Sequence, residues 1–211
     1  MIQFICCILA NTSKLYQMSE FWLYLQLGFY HVLDWNAYDH ILFLTVLAVS
    51  FSTDQWKKII IVVSAFTLGH TIALFLAIYN VISIHKNMVE FLIPVTILIT
   101  AIYTLVNASK IQKDKISPVF TGITIFFGLI HGLGFSNYFK IISSNTDTKS
   151  VAALSFAGGV ELSQLVLVSV VLLVGFIMQQ FFRVQKRDWI LIIASIVIGM
   201  AIPMLQNNWF F

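Results

Sequence analysis

Charge is scarce in this chain: Asp, Glu, Lys and Arg make up only 10% of 211 residues, against about a quarter in a soluble domain. That scarcity excludes an ordinary water-facing surface. The net charge of +3, scattered through short loops, excludes a nucleic-acid-binding patch. Cysteine is nearly missing as well. Cys6 and Cys7 are adjacent, so they neither staple a fold nor show metal-ligand spacing. There is no low-complexity tract, no visible internal repeat on which an inverted-repeat transporter could be argued, no ATP-binding sequence and no H-E-x-x-H helix.

What fills the chain is hydrocarbon. Apolar residues reach 59% and the mean hydropathy is +0.91. Apolar runs fall at about 21–35, 37–52, 59–79, 89–107, 118–139, 151–182 and 189–209, and most are long enough to cross a core of roughly 30 Å at about 1.5 Å per residue. The expected fold is all-α: a polytopic membrane helix bundle of about seven helices, six clear spans and a short N-terminal helix. The first two runs share the polar junction HVLDWNAYDH and read either as a tight hairpin or as an interfacial helix followed by a span. Short polar loops separate the rest, so residues 18–211 form one transmembrane domain. Residues 1–17 are a leader with no basic start and no small-residue cleavage site, which makes Met18 an alternative start.

Loop charge sets the expected orientation. Lys57, Lys58, Lys110, Lys113, Lys115, Arg183, Lys186 and Arg187 occupy alternate loops, while the intervening loops hold only Lys86, Lys140 and Lys149. By the positive-inside rule the richer side is cytoplasmic. With seven spans, the N-terminus lies inside and the C-terminus and the HVLDWNAYDH junction outside, in a cytoplasmic (inner) membrane crossed several times.

Against this apolar background the ionisable residues stand out. Asp39 and His40 open the second run, Glu90 opens the fourth, His70 lies near the middle of the third, and His131 and Glu161 are buried within the fifth and sixth. All fall between the expected midplane and the outer surface. A charged group near the bilayer centre costs about 2.5–3.5 kcal/mol on insertion scales and usually faces a bundle interior or an ion path. Mutual pairing or a bound cation would relieve that cost. The alternative for each histidine is an interhelical hydrogen bond that only glues the bundle. Glu90 reads more readily as a solvated helix-start carboxylate, His31 and Asp34 equally as outer-shell ligands or as turn residues; His85 belongs to a polar loop.

Neighbouring residues add detail. Thr67, His70 and Thr71 share a helical face, so a hydroxyl is expected to orient the imidazole. Gly128, Gly132 and Gly134 flank His131, permitting close helix approach or a broken helix. Gly158 and Gly159 precede Glu161, with Gln164 one turn along, and Pro94 should kink its helix near the cavity mouth.

From Met18 onward, the segments YDHILFL, FTLGHT, VEFLIPVTI, FGLIHGLGF and FAGGVELSQ make the chain resemble the second branch of the HupE/UreJ family of membrane proteins. That resemblance implies a nickel or cobalt permease and carries Asp39, His40, His70, His131 and Glu161 onto a metal path. His31 is a weaker transfer, because seven residues separate it from Asp39–His40 where hydrogenase-linked members have five. Thr67, Thr71, Gln164 and Glu90 are expected to support the site. The partners implied are the lipid bilayer and the metal ion, with room for a homo-oligomer or an accessory protein. Imidazole suits nickel, zinc, copper and iron alike. An alternative is therefore an intramembrane zinc-dependent hydrolase acting on a lipid or membrane-anchored substrate, with Glu161 or Asp39 as base. A third reading is a structural subunit held by polar glue. Proton exchange through Glu161 is a further expectation of the transport reading.

Overall fold

The computed structural model describes residues 18–82, 85–109, 118–144, 146 and 148–209. The leader with Cys6 and Cys7, and the loop lysines Lys110, Lys113 and Lys115, lie outside them. Among the described residues there are seven helices and no strand. They are α1 (residues 18–32), α2 (Asp39–Ala48), α3 (Trp56–Ile78), α4 (Lys86–Val106), α5 (Pro118–Ile142), α6 (Lys149–Gln180) and α7 (Lys186–Asn207), with one 3₁₀ turn at Thr53–Gln55. Five of them, α3 to α7, are long and apolar enough to cross a membrane.

The second expected span is where sequence and structure part. Helix α2 has ten residues, about 15 Å of rise and half of a roughly 30 Å core. It follows α1 across a short irregular stretch, and the two helices together run from one end of the bundle to the other. At one end of the bundle the Tyr24 hydroxyl of α1 donates to the Ile142 carbonyl and meets Thr146, where α5 finishes. At the other end Val49, just past α2, packs with Ala108 and Ile190, next to the end of α4 and the start of α7. Asp34 causes the break. Its side chain accepts the Asn36 N–H at 2.9 Å and its carbonyl accepts the Ala37 N–H at 3.2 Å, a local turn that competes with helix continuation. Residues 18 and 207 lie toward the same end of the bundle; Trp209 stacks edge-on against Phe91 in the first turns of α4.

Seven of the ten α2 residues are buried, as expected of a helix apolar on every side and held inside a bundle. Around it, close contact depends on glycine. Lipid is as apolar as leucine, so association in a membrane relies on packing at short range. At Gly69, Gly128 and Gly132 a methyl group would overlap backbone atoms of Ile125, Phe66 and His70 across the α3/α5 crossing. At Gly28 and Gly159 it would overlap Phe156 and Leu25 across α1/α6. Gly158, expected to matter, faces open space. Pro94 sits inside α4 without ending it, and Thr96 Oγ1 donates to the Ile93 carbonyl at 2.7 Å.

The described basic residues divide as the loop pattern required. Lys57 and Lys58 open α3, Lys186 and Arg187 open α7, and Lys186 contacts Ser52 at that same end. The break between α1 and α2, and Glu90 at the start of α4, belong to the opposite half.

Candidate metal centre

The break between α1 and α2 brings His31, in the last turn of α1, level with His40, in the first turn of α2. His70 from the middle of α3 completes a group whose candidate ligand nitrogens all lie within 4.8 Å of one another. The ring centroids are 4.8 Å apart for His31 and His40 and 5.8 Å for each of these with His70. His131 of α5 adjoins the trio, its ring 5.2 Å from that of His40. His40, His70 and His131 are at most 2% exposed. The glycine-dependent crossing sets this spacing: Gly132 lies directly against the His70 backbone.

Hydrogen bonding decides which nitrogens are free. Asp39 Oδ1 accepts the His40 backbone N–H at 2.8 Å and lies 3.0 Å from His40 Nδ1. The carboxylate assigns the proton to Nδ1 and leaves the Nε2 lone pair available, as in carboxylate–histidine–metal arrangements. His131 Nδ1 donates to the Phe127 carbonyl at 2.9 Å, which again frees Nε2. The Nε2 atoms of His31, His40 and His131 and both ring nitrogens of His70 are buried without a hydrogen-bond partner. An unsatisfied buried polar group costs roughly 1–3 kcal/mol. Concentrating five in one layer, at least one of them an N–H of His70 and the others offering lone pairs, opposes folding unless something else engages them. Metal–imidazole bonds of about 2.0–2.1 Å require donor atoms about 3–4 Å apart, so three nitrogens within 4.8 Å reach coordination by small side-chain rotations. Phenylalanines wall the group. Phe135 packs 4.1 Å from His31, Phe66 lies 5.1 Å from His131, and Phe156 stacks on His70 at 6.1 Å.

An open cleft of about 740 Å³ reaches this layer. Asp34, Asp39 and Glu90 line it together with His31, His40 and His131. Most of the irregular stretch 33–38 lines this cleft, the kind of place where backbone outside a helix is tolerated. His70 is not on the cleft wall and lies behind His31 and His40. Glu90 also pairs with Lys86 at 3.2 Å on an exposed part of α4.

Not every expected residue joins the histidines. Glu161 accepts from Ser64 Oγ at 2.6 Å and from Thr67 Oγ1, and Thr67 Oγ1 lies 3.0 Å from Gln164 Oε1. These four residues form a separate polar group between α3 and α6. Thr71 Oγ1 donates to the Thr67 carbonyl at 2.7 Å. Neither threonine therefore orients His70, contrary to expectation, because both hydroxyls are taken by other acceptors. His31, the weaker transfer, stands in the middle of the cluster. Its signal in the sequence is the turn-forming LDWNAY between His31 and the Asp39–His40 pair. Ser64 was not anticipated; it shares a helical face with Thr67 three residues on, the one sign available.

A protein-family model described as HupE / UreJ protein matches residues 9–210, nearly the whole chain. No curated protein and no solved structure matches significantly.

Proposed function

The chain belongs to the HupE/UreJ family, which is associated with nickel and cobalt transport, and from that premise we propose that it is a permease for a divalent transition-metal ion of the nickel or cobalt kind. The observation that carries this reading is the group of buried imidazoles with unused lone pairs at the inner end of an open cleft. Three acidic side chains along the cleft draw the cation from the extracytoplasmic side. His31 and His40 take it from the cleft, with Asp39 fixing the His40 ring, and His70, which lies behind both, completes the ligand group. His131 offers a further nitrogen. Glu161 is left out of the ligand set. The excess of basic residues at the far end supports a cytoplasmic exit in an inner membrane.

Radiolabelled nickel uptake into cells expressing the protein tests the proposal. His40→Ala and His70→Ala should each abolish uptake while the protein remains in the membrane. Uptake equal to wild type in both variants would end it. A second reading has its own support, because three imidazoles beside a carboxylate match a catalytic zinc set with one position open to the cleft. Under that reading purified protein retains near-stoichiometric zinc through chelator washing; a permease releases its ion.

A further inference from the structure

We propose that Ser64, Thr67, Glu161 and Gln164 form a second cation site, lined by oxygen and distinct from the histidine cluster, which takes a proton or a sodium ion as the counter-ion of metal movement. The counter-ion role rests on the transport reading; the site itself does not.

Four observations converge on it. The donor set is hard: a carboxylate, two hydroxyls and an amide carbonyl from α3 and α6, with no imidazole among them, and such oxygens suit small hard cations over nickel or zinc. Charge sets the valence, since one carboxylate among neutral oxygens is balanced by a single positive charge. Glu161 has no ion pair among the described residues. The other charged or titratable side chains on the two helices are Lys57, Lys58 and His70 on α3 and Lys149 on α6, and none is bonded to it. A carboxylate within an apolar span is costly without a cation of its own, and the exposed side chains near it in sequence on the two helices, Ile60, Ile61, Leu68 and Leu162, are all apolar.

The hydrogen bonds are also one proton short. Thr67 Oγ1 carries a single hydrogen but faces the Val63 carbonyl at 3.3 Å, Gln164 Oε1 at 3.0 Å and Glu161 Oε2. A proton on Glu161 resolves the conflict: the acid donates to Thr67, which then donates to Gln164; a half-turn of the Gln164 amide, putting its unpartnered nitrogen on Thr67, also resolves it and leaves an ionised Glu161 that still lacks a counter-charge. A sodium ion resolves it by engaging the surplus lone pairs. Gln164 is fully buried and its amide nitrogen is unpartnered, so one side of the group reaches into the bundle, while Ser64 and the half-buried Glu161 form its outward side. The place suits coupling. Thr67 is three residues before His70 on α3, about 4.5 Å along the axis, so an ion lost or gained at Glu161 is felt by the same helix that carries the deepest imidazole.

Dicyclohexylcarbodiimide, which attacks protonated carboxyl groups from the lipid phase, tests the site on the full-length protein in vesicles, with mass spectrometry locating the adduct. Glu161 should be modified. Protection by sodium at constant pH identifies a sodium site, and protection only on raising the pH identifies a proton site. Thr67→Val should shift the protecting concentration or pH midpoint by about tenfold, the equivalent of one hydrogen bond to a charged group, and Glu161→Gln gives the blank. No adduct at Glu161, or labelling indifferent to both sodium and pH, overturns the proposal. Nickel uptake under an imposed proton or sodium gradient then tests coupling. Glu161→Gln should lose the response to the gradient while equilibrium nickel binding persists, and a retained response refutes the counter-ion role. Vesicles that take up no nickel in any form would overturn the transport reading, and the labelling would still judge the site.

Discussion

Removing the Asp39 carboxylate should weaken nickel binding without removing any of the three clustered imidazoles. One oxygen, Oδ1, holds His40 twice, through the backbone N–H at 2.8 Å and the ring Nδ1 at 3.0 Å. In Asp39→Ala the imidazole keeps its place on α2 but loses the partner that fixes its tautomer and raises the basicity of Nε2, and Nδ1 joins the buried nitrogens with nothing to bind. Losing such a partner typically costs 10- to 100-fold in metal affinity, about 1.4–2.7 kcal/mol. Asp39→Asn preserves an acceptor oxygen but not the charge, so its affinity should fall between alanine and wild type. Equilibrium dialysis of radioactive nickel against purified protein measures both, with circular dichroism verifying that the helices persist. An alanine variant within about twofold of wild type refutes the orienting role. A loss far beyond 100-fold refutes it differently, by making Asp39 itself a ligand.

The orphaned nitrogens make a second prediction that runs against intuition. His70→Leu, similar in size and without polar atoms, should abolish nickel binding yet stabilise the metal-free protein by roughly 1–3 kcal/mol, read as a higher thermal unfolding temperature in detergent; a lower one counts against the unsatisfied state of His70. At the α3/α5 crossing, Gly128→Val forces side-chain atoms into the Phe66 backbone and should destabilise by about 1–3 kcal/mol or more while weakening nickel binding. Gly158→Ala, with nothing within 4 Å of the added methyl, should stay within about 0.5 kcal/mol on the same melting assay. Protons compete with metal for each imidazole lone pair, so nickel affinity should fall, and never rise, on strong acidification. Affinity that rises toward acid in a titration of the purified protein would exclude histidine ligation.

Much of this architecture can be read from composition and spacing. Apolar runs and loop lysines are properties of each segment alone, and they mark the long helices α3 to α7 and the end of the bundle where the basic residues collect. His40, His70 and His131 were legible for a similar reason: an imidazole inside hydrocarbon is costly wherever it sits, so its presence announces a purpose before any contact is known. Ring partners were not legible. Thr67 shares a face with His70 in the sequence pattern, yet its hydroxyl turns to Glu161 and Gln164 on a helix nearly a hundred residues away, and no local rule ranks those acceptors against the ring.

Helix type, membrane embedding and the polar residues inside the bundle thus follow from the order of amino acids, because hydropathy and the energetic penalty of a buried charge add up along a single segment. Which of those polar residues meet was settled by the fold. Asp34 stops a helix halfway across the bundle and sets His31 beside His40, and glycines at 69, 128 and 132 let α3 and α5 approach until His70 and His131 border the same layer. The same packing sends Glu161 to a different group. Where helices touch depends on clearances the size of a methyl group between distant parts of the chain, and that information lies in pairs of segments, not in any one of them.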